Sequence, residues 1–292
     1  MSVCRRALLS NAARVAAILT ALQVVPARAA VVEYAVTRTI SDTQTSNAQP
    51  NTPEFWDFRA LVFTDVPNEI VSASVSFNQP PPASYPLHES IATLWQVGSP
   101  FYTDAASFLL AYPATTYTLT ADLGAGPETG DVFLAEDLYC EAIPYFTGDT
   151  YDRLQSYDVT QDLTLTFNGF TLHPSTDVGA IYLSVVEDNA IGAVISVALD
   201  PSDTSFVIPA NTLTAGRSYS IGLTYYNIVR TPNAGFTNAT AGAEFFRSTT
   251  AYFTTLPAAA TCCPGDFNDD HVVNGLDVQA FVNALLTGSG CP

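Results

Sequence analysis

The sequence predicts an all-β body of two sandwich-like units, followed by a small C-terminal module made of a ligand loop and one helix. Three observations carry that expectation. Runs such as "IVSASVSFN" (70–78) and "DLTLTFNGF" (162–170) alternate apolar and polar residues with a period of two, as a strand with one buried face does. Clusters of Gly, Pro, Asn and Asp separate such runs at the spacing of a sandwich. After "TTLPAAATCCP" the composition turns acidic and then helical, which marks a linker at 257–263 and a separate tail at 264–292.

The first 29 residues read as a targeting segment rather than as part of the fold. Arg5, Arg6 and Arg14 precede an apolar stretch from Val15 to Val25, and "PARAA" carries a small-residue cleavage pattern that places the cut after Ala29. That stretch is shorter than the ~20 residues needed to span a bilayer, so no transmembrane span is expected. "RRALL" leaves general secretory and twin-arginine export both open. The expected location is outside the cytoplasm: extracellular or cell-surface, with the periplasm also open.

Charge then excludes whole classes of function. The chain of 292 residues has 10 Lys+Arg against 28 Asp+Glu, and every one of the ten is Arg. Four of those lie before Ala30, which leaves six against 28, a balance of −22. Such a surface does not neutralise phosphates, so neither nucleic acid nor an anionic membrane surface is an expected partner. Without Lys there is no Schiff base and no P-loop.

The first body unit, 30–142, reads as strands with one short helix. Val71, Ala73, Val75 and Phe77 share one face of "IVSASVSFN", and Tyr117, Leu119 and Ala121 share one face of "TYTLTAD". In "TDAASFLLAYP" the residues Ala105, Phe108, Leu109 and Tyr112 recur at helical spacing behind a Thr103 cap, and Pro113 ends the helix. "NQPPPASYP" reads as a rigid surface loop.

The second unit, 143–256, contains "DLTLTFNGF", "AIYLSVVED", "GAVISVAL", "SFVIPA", "RSYSIGLTYYNIV" and "FFRSTTAYFTT" as strands. The stretch "NTLTAGRSYSIGL" resembles the fibronectin type III pattern in which Leu, Gly and Tyr lead into the sixth strand. Leu213, Gly216 and Tyr219 fall on those positions. The resemblance, to a fibronectin type III or immunoglobulin-like sandwich, implies that Tyr219 is a tyrosine corner with its hydroxyl bound to nearby backbone. Phe167 then stands where that family has a Trp on its second strand. The resemblance implies architecture and no activity.

In the tail, the segment from Asp266 matches a twelve-position calcium loop. Side-chain oxygens are wanted at positions 1, 3, 5, 9 and 12, with a backbone carbonyl at 7. Those positions hold Asp266, Asn268, Asp270, Asn274 and Asp277, with Val272 supplying the carbonyl. A hard cation such as Ca2+ takes six to eight oxygens, so a structural calcium is the expected cofactor. His271 replaces the usual Gly at position 6. Beyond Asp277, the residues Val278, Phe281, Val282, Leu285 and Leu286 recur at helical spacing, and Gly288 and Gly290 end that helix.

A calcium loop followed by one helix, without a preceding helix, resembles the repeat of dockerin domains. "GDFNDDHVVNGLDVQAFVNALL" follows that repeat over its whole length, in the manner of the cysteine-flanked, single-repeat, EF-hand-like tails of secreted bacterial proteins. Dockerins of cellulosomes carry two such repeats and this chain has one, so the paired-helix surface that binds cohesin is incomplete. The resemblance implies a cohesin-like or cell-surface anchoring partner and an association with polysaccharide breakdown. Export also makes the cysteines readable: Cys140, Cys262, Cys263 and Cys291 remain after cleavage. Vicinal pairing is strained, so one of Cys262 and Cys263 is expected to bond Cys291, and the other to reach Cys140.

No catalytic motif is present in the body. His88-Glu89 opens like a zinc-protease pair, but Ala92 stands where the second His is required. His173 reads as a strand-end residue, and no G-x-S-x-G occurs. Glu136, Asp137, Glu141, Glu187 and Asp188 are the acids that could face each other for glycoside cleavage, but spacing alone does not pair them. Tyr225-Tyr226 and "IPYF" (143–146) are candidate sugar-stacking patches. Two function classes follow: an exported non-catalytic surface or matrix protein anchored through a calcium-stabilised tail, or a polysaccharide-degradation accessory that binds or cleaves sugar.

Overall fold

The computed structural model describes residues 30–78, 82–232, 235–236, 239–258, 265, 267 and 272–287. The chain divides into two compact units, Met1–Thr255 and Leu256–Pro292. In the first unit the elements run β1 (Val31–Gln44), β2 (Phe55–Thr64), β3 (Ser72–Phe77), β4 (Ala83–Ile91), β5 (Leu94–Gly98), α1 (Ala105–Ala111), β6 (Thr115–Asp122) and β7 (Pro127–Leu134). They continue with α2 (Thr150–Gln155), β8 (Leu163–Thr166), β9 (Val178–Glu187), β10 (Ile195–Leu199), β11 (Ser205–Ile208), β12 (Ser218–Pro232) and β13 (Thr240–Thr254). The second unit contains the helix α3 (Asp277–Thr287). Among the described residues no helix is long and apolar enough to cross a membrane.

Eleven strands form one sheet in the order β10-β9-β12-β13-β1-β2-β5-β4-β3-β6-β7, and β8 and β11 form a second, two-stranded sheet. The pairings are antiparallel except for β1 with β13, which run parallel from Glu33↔Thr240 to Gln44↔Ala251. That pairing joins the first strand of the body to its last.

Two hydrophobic cores lie on one face of the long strands. The first gathers Tyr34 and Val36 of β1, Phe58 and Val62 of β2, Val75 of β3, Tyr117 and Leu119 of β6, Val132 of β7, and Phe245 of β13. Here the sheet curls until β7 lies over β1 and β13, giving a two-layer packing from one sheet. The second core packs Leu163 and Leu165 of β8 and Ile208 of β11 onto Ile181 and Leu183 of β9 and Ile221, Leu223 and Tyr225 of β12. This is a sandwich of the small sheet on the large one. β13 runs continuously beneath both, with Phe245 in the first core and Ala251 and Phe253 in the second.

Between the cores the same face becomes polar. On β1 the face continues as Arg38, Asp42 and Gln44, on β13 as Arg247 and Thr249, and on β12 as Asn227. The segment 135–146 crosses over this seam and is held there by side chains. Arg38 Nη1 donates to the carbonyls of Ala135 (3.0 Å) and Glu136 (2.8 Å), and Nη2 to that of Tyr112 (2.6 Å). Asn227 donates to the Leu138 carbonyl at 2.9 Å, and Gln44 exchanges two 2.8 Å bonds with the Phe146 backbone. Irregular backbone is thereby satisfied at a buried place where no strand can pair with it.

Several local expectations change. Ala73, Val75 and Phe77 are buried as expected, but Val71 precedes β3 and is exposed. Asp104, not Thr103, caps α1, its carboxylate accepting from Ser107 N at 2.7 Å. Leu109 lies on the exposed side of that helix, and Phe108 carries its contact with the core. Ala83–Pro86, expected in a surface loop, belong to β4 and pair with β3, with Pro86 opposite Ser74.

The tyrosine corner is present. Tyr219 is buried against Phe253, and its hydroxyl accepts from Thr214 N at 2.9 Å, while Gly216 turns the chain at φ +67°. Phe167 is buried in the second core. Tyr219→Phe should cost about 1 kcal/mol by leaving the Thr214 amide unpaired, read as a lower urea midpoint at unchanged slope. An unchanged midpoint would show that the hydroxyl carries no weight.

Candidate functional site

Of the six residues expected to ligate calcium, Val272, Asn274 and Asp277 are described, whereas Asp266, Asn268 and Asp270 lie outside the described residues. The three described ones sit together at the start of α3. Asp277 is buried at 4% exposure, and its two carboxylate oxygens accept from Phe267 N and Asn274 N, both at 2.7 Å. One carboxylate thus ties both ends of the loop to the first turn of the helix, where the helix dipole favours negative charge. Asn274 Nδ2 donates to the Val272 carbonyl at 3.1 Å, and Asn274 Oδ1 accepts from Leu276 N at 2.7 Å. The ring of Phe267 meets Phe281 of α3 edge-on at 4.9 Å, which packs the loop onto the helix.

The three described positions carry a carboxylate, an amide and a backbone carbonyl, oxygen donors of the kind a hard cation takes, with Asp277 and Asn274 here accepting backbone N–H groups. Among the described residues no group of three or more His, Cys, Asp or Glu comes together. The helix beyond the loop is amphipathic as expected, and its apolar stripe is open to solvent: Val278 is 60%, Phe281 44%, Val282 38%, Leu285 70% and Leu286 79% exposed.

Cys140 is 1% exposed in the second core, where burial pushes its thiol up to about 12 and it packs as a small apolar group. Cys262 and Cys263, the partners expected for it, and Cys291 lie outside the described residues.

The sugar-stacking patches are also corrected. Tyr225 and Tyr226 point to opposite faces of β12, yet both are buried, at 0% and 4% exposure, because both faces of that strand are covered. Tyr226 packs edge-on against Phe246 and Tyr182, and Tyr225 against Phe170. In "IPYF", Phe146 is core. The candidate catalytic acids do not converge: Glu136, Asp137 and Glu141 are exposed, and Glu187 faces Arg217 at 3.8 Å. His88 is exposed, while His173 forms a turn in which its Nδ1 accepts from Ser175 N.

A different pair of acids is brought together on the opposite face of the sheet. Glu244 of β13 is 2% exposed and its Oε2 accepts from Thr37 Oγ1 of β1 at 2.7 Å. Glu33 lies four residues before Thr37 on the same strand face. Burial pushes Glu244 up to about 8, with the charge of Glu33 adding to it and the Thr37 hydroxyl and Arg230 opposing it. Burial likewise pushes Glu33 up to about 7, against the opposing charge of Arg230. The available signal was an isolated acid inside an apolar run, as in "VVEYAV" and "AGAEFF".

No family model matches the chain, and no curated protein matches it. Similar solved structures include the FN1-FN3 domains of chicken CNTN1, at 10% identity over 77% of this chain and 67% of that one, with TM-score 0.25. Another is a chimeric titin Z1Z2-Z1Z2 tandem carrying a GRGDS peptide from fibronectin, at 14% identity over 78% of this chain and 99% of that one, TM-score 0.21. A third is the BSP domain of a biofilm associated protein, at 12% identity over 69% of this chain and 28% of that one, TM-score 0.22. The sandwich architecture of the body rests on its own strands and cores.

Proposed function

We propose that this is an exported, non-catalytic β protein held at a surface or in a matrix through its C-terminal loop-helix module, which calcium stabilises. One observation carries the reading: Asp277 locks the loop onto α3 while the apolar stripe of that helix stays exposed. A helix with such a stripe and no covering layer among the described residues is an attachment surface held ready by its loop. Calcium, when bound, would supply the charge that lets Asp266, Asp270 and Asp277 share one small loop. Asn268, Asn274 and the Val272 carbonyl would complete its oxygen shell. The body would act as the displayed part.

Calorimetric titration of the mature chain tests the metal. One calcium should bind with Kd of about 10⁻⁴ to 10⁻³ M, and Asp277→Asn should remove the heat. No calcium heat in the wild-type chain would overturn the metal assignment. For attachment, a chain ending at residue 256 should be released from the cell fraction that retains the full chain, and equal retention of both would overturn that part.

A further inference from the structure

We propose that Glu33 and Glu244 form a proton-held latch between β1 and β13, closing the parallel pairing while they carry protons and loosening it once both are ionised. The inference is independent of the tail and concerns how the body responds to pH.

The geometry comes from register. Thr37 stands opposite Glu244, Ala35 opposite Gly242, and Glu33 opposite Thr240, all with side chains on the same face. Between the two glutamates the strands carry only Ala35 and Gly242. A Cβ placed on Gly242 would still lie 3.6 Å from Ala35 Cβ and 3.7 Å from Glu244 Oε1. Glu244 therefore lies over Gly242 within reach of the charge of Glu33, and neither Ala35 nor Gly242 is tall enough to stand between the two acids. Thr37 supplies one neutral hydrogen bond, to Glu244.

The neighbouring strands bring too little positive charge to hold two carboxylates. On β12, Arg230 stands opposite Gly242 and is exposed, so water weakens its pull. On β2, Arg59 stands opposite Thr37 but its Nε lies 3.1 Å from Asp57 Oδ1, and Asp57 is itself buried and pushed up by that burial. The Tyr226 hydroxyl of β12 also feels Glu244, with Tyr182 of β9 edge-on to its ring, but neither brings positive charge, and Val178 of β9, opposite Ile228, adds none.

Both glutamates titrate higher folded, at about 7 and about 8, than in the unfolded chain, where a glutamate takes its ordinary value near 4.5. The folded state thus holds protons that the unfolded state releases, so stability falls as pH rises above 4.5 and is fully reduced beyond 8. The parallel β1–β13 pairing is where that loss is felt, because it alone joins the first strand to the last.

The test is thermal unfolding of the full mature chain at pH 6 and pH 9 under constant calcium. The wild-type midpoint should drop by about 5 °C or more at the higher pH. The double variant Glu33→Gln/Glu244→Gln, which mimics the protonated pair, should lose most of that drop, and Glu33→Gln alone should shrink it. Thr37→Val keeps both acids and removes the hydroxyl that favours ionised Glu244, so its drop should extend to higher pH. A flat wild-type profile, or a drop undiminished in the double variant, overturns the latch. Should the Gln variants fail to fold, a Thr37→Val profile superimposable on wild type overturns it equally.

Discussion

An Arg38→Met variant should lose about 3 kcal/mol of stability, read from urea unfolding of the protein. Arg38 is fully buried, and its guanidinium ties three backbone carbonyls, Tyr112, Ala135 and Glu136, that belong to no strand ladder. Met fills a similar volume but donates nothing, so the buried Tyr112 carbonyl loses its partner at roughly 1–3 kcal/mol, and the part-buried Ala135 and Glu136 carbonyls lose theirs at a smaller cost because water reaches them. Relief of the buried cation offsets part of this, because no carboxylate among the described residues pairs with Arg38 and its Nε has no partner. The acceptors outnumber the cation, so destabilisation wins. Arg38→Lys should recover only part of the loss, since an ammonium cannot span all three carbonyls as a planar fork does. A Met variant within about 0.5 kcal/mol of wild type would show that segment 135–146 stays over the seam without Arg38.

That seam also explains which parts of the fold are legible in sequence. β3, β6 and β8 have one covered face, so Ala73-Val75-Phe77, Tyr117-Leu119-Ala121 and Leu163-Leu165 alternate visibly with polar neighbours. β1 and β2 sit mid-sheet with both faces largely buried, so residues 34–39 are buried without interruption and no period of two survives. The same effect hides Tyr225 and Tyr226, where alternation alone suggests that one must face solvent. The parallel pairing of β1 with β13 joins residues some two hundred positions apart and leaves no local trace.

The tail behaves in the opposite way. Its helix is written in consecutive residues, so the stripe from Val278 to Leu286 can be placed from spacing alone. The Glu33–Glu244 pair needed the register of two distant strands before either acid had a neighbour.

Gly130→Ala should cost about 3 kcal/mol, whereas Gly98→Ala in the same sheet should be neutral or slightly stabilising. Gly130 lies in β7 where that strand closes over β1, and a Cβ there would stand 2.5 Å from Tyr34 Cζ and 2.8 Å from Phe236 Cδ2. Neither ring has room to yield. Tyr34 is fully buried, Phe236 is 2% exposed, and the two meet edge-on at 4.8 Å. The methyl must therefore lift β7 from the core or drive Tyr34 into its neighbours, and either opens the first sandwich-like half. At Gly98, in β5, nothing lies within 4 Å of the added atom, so the ordinary gain from removing a strand glycine is free to appear. Urea midpoints of the two variants, measured side by side, separate close approach from backbone entropy. Equal shifts would mean that β7 does not rest on the Tyr34 ring and that the sheet closes by another route.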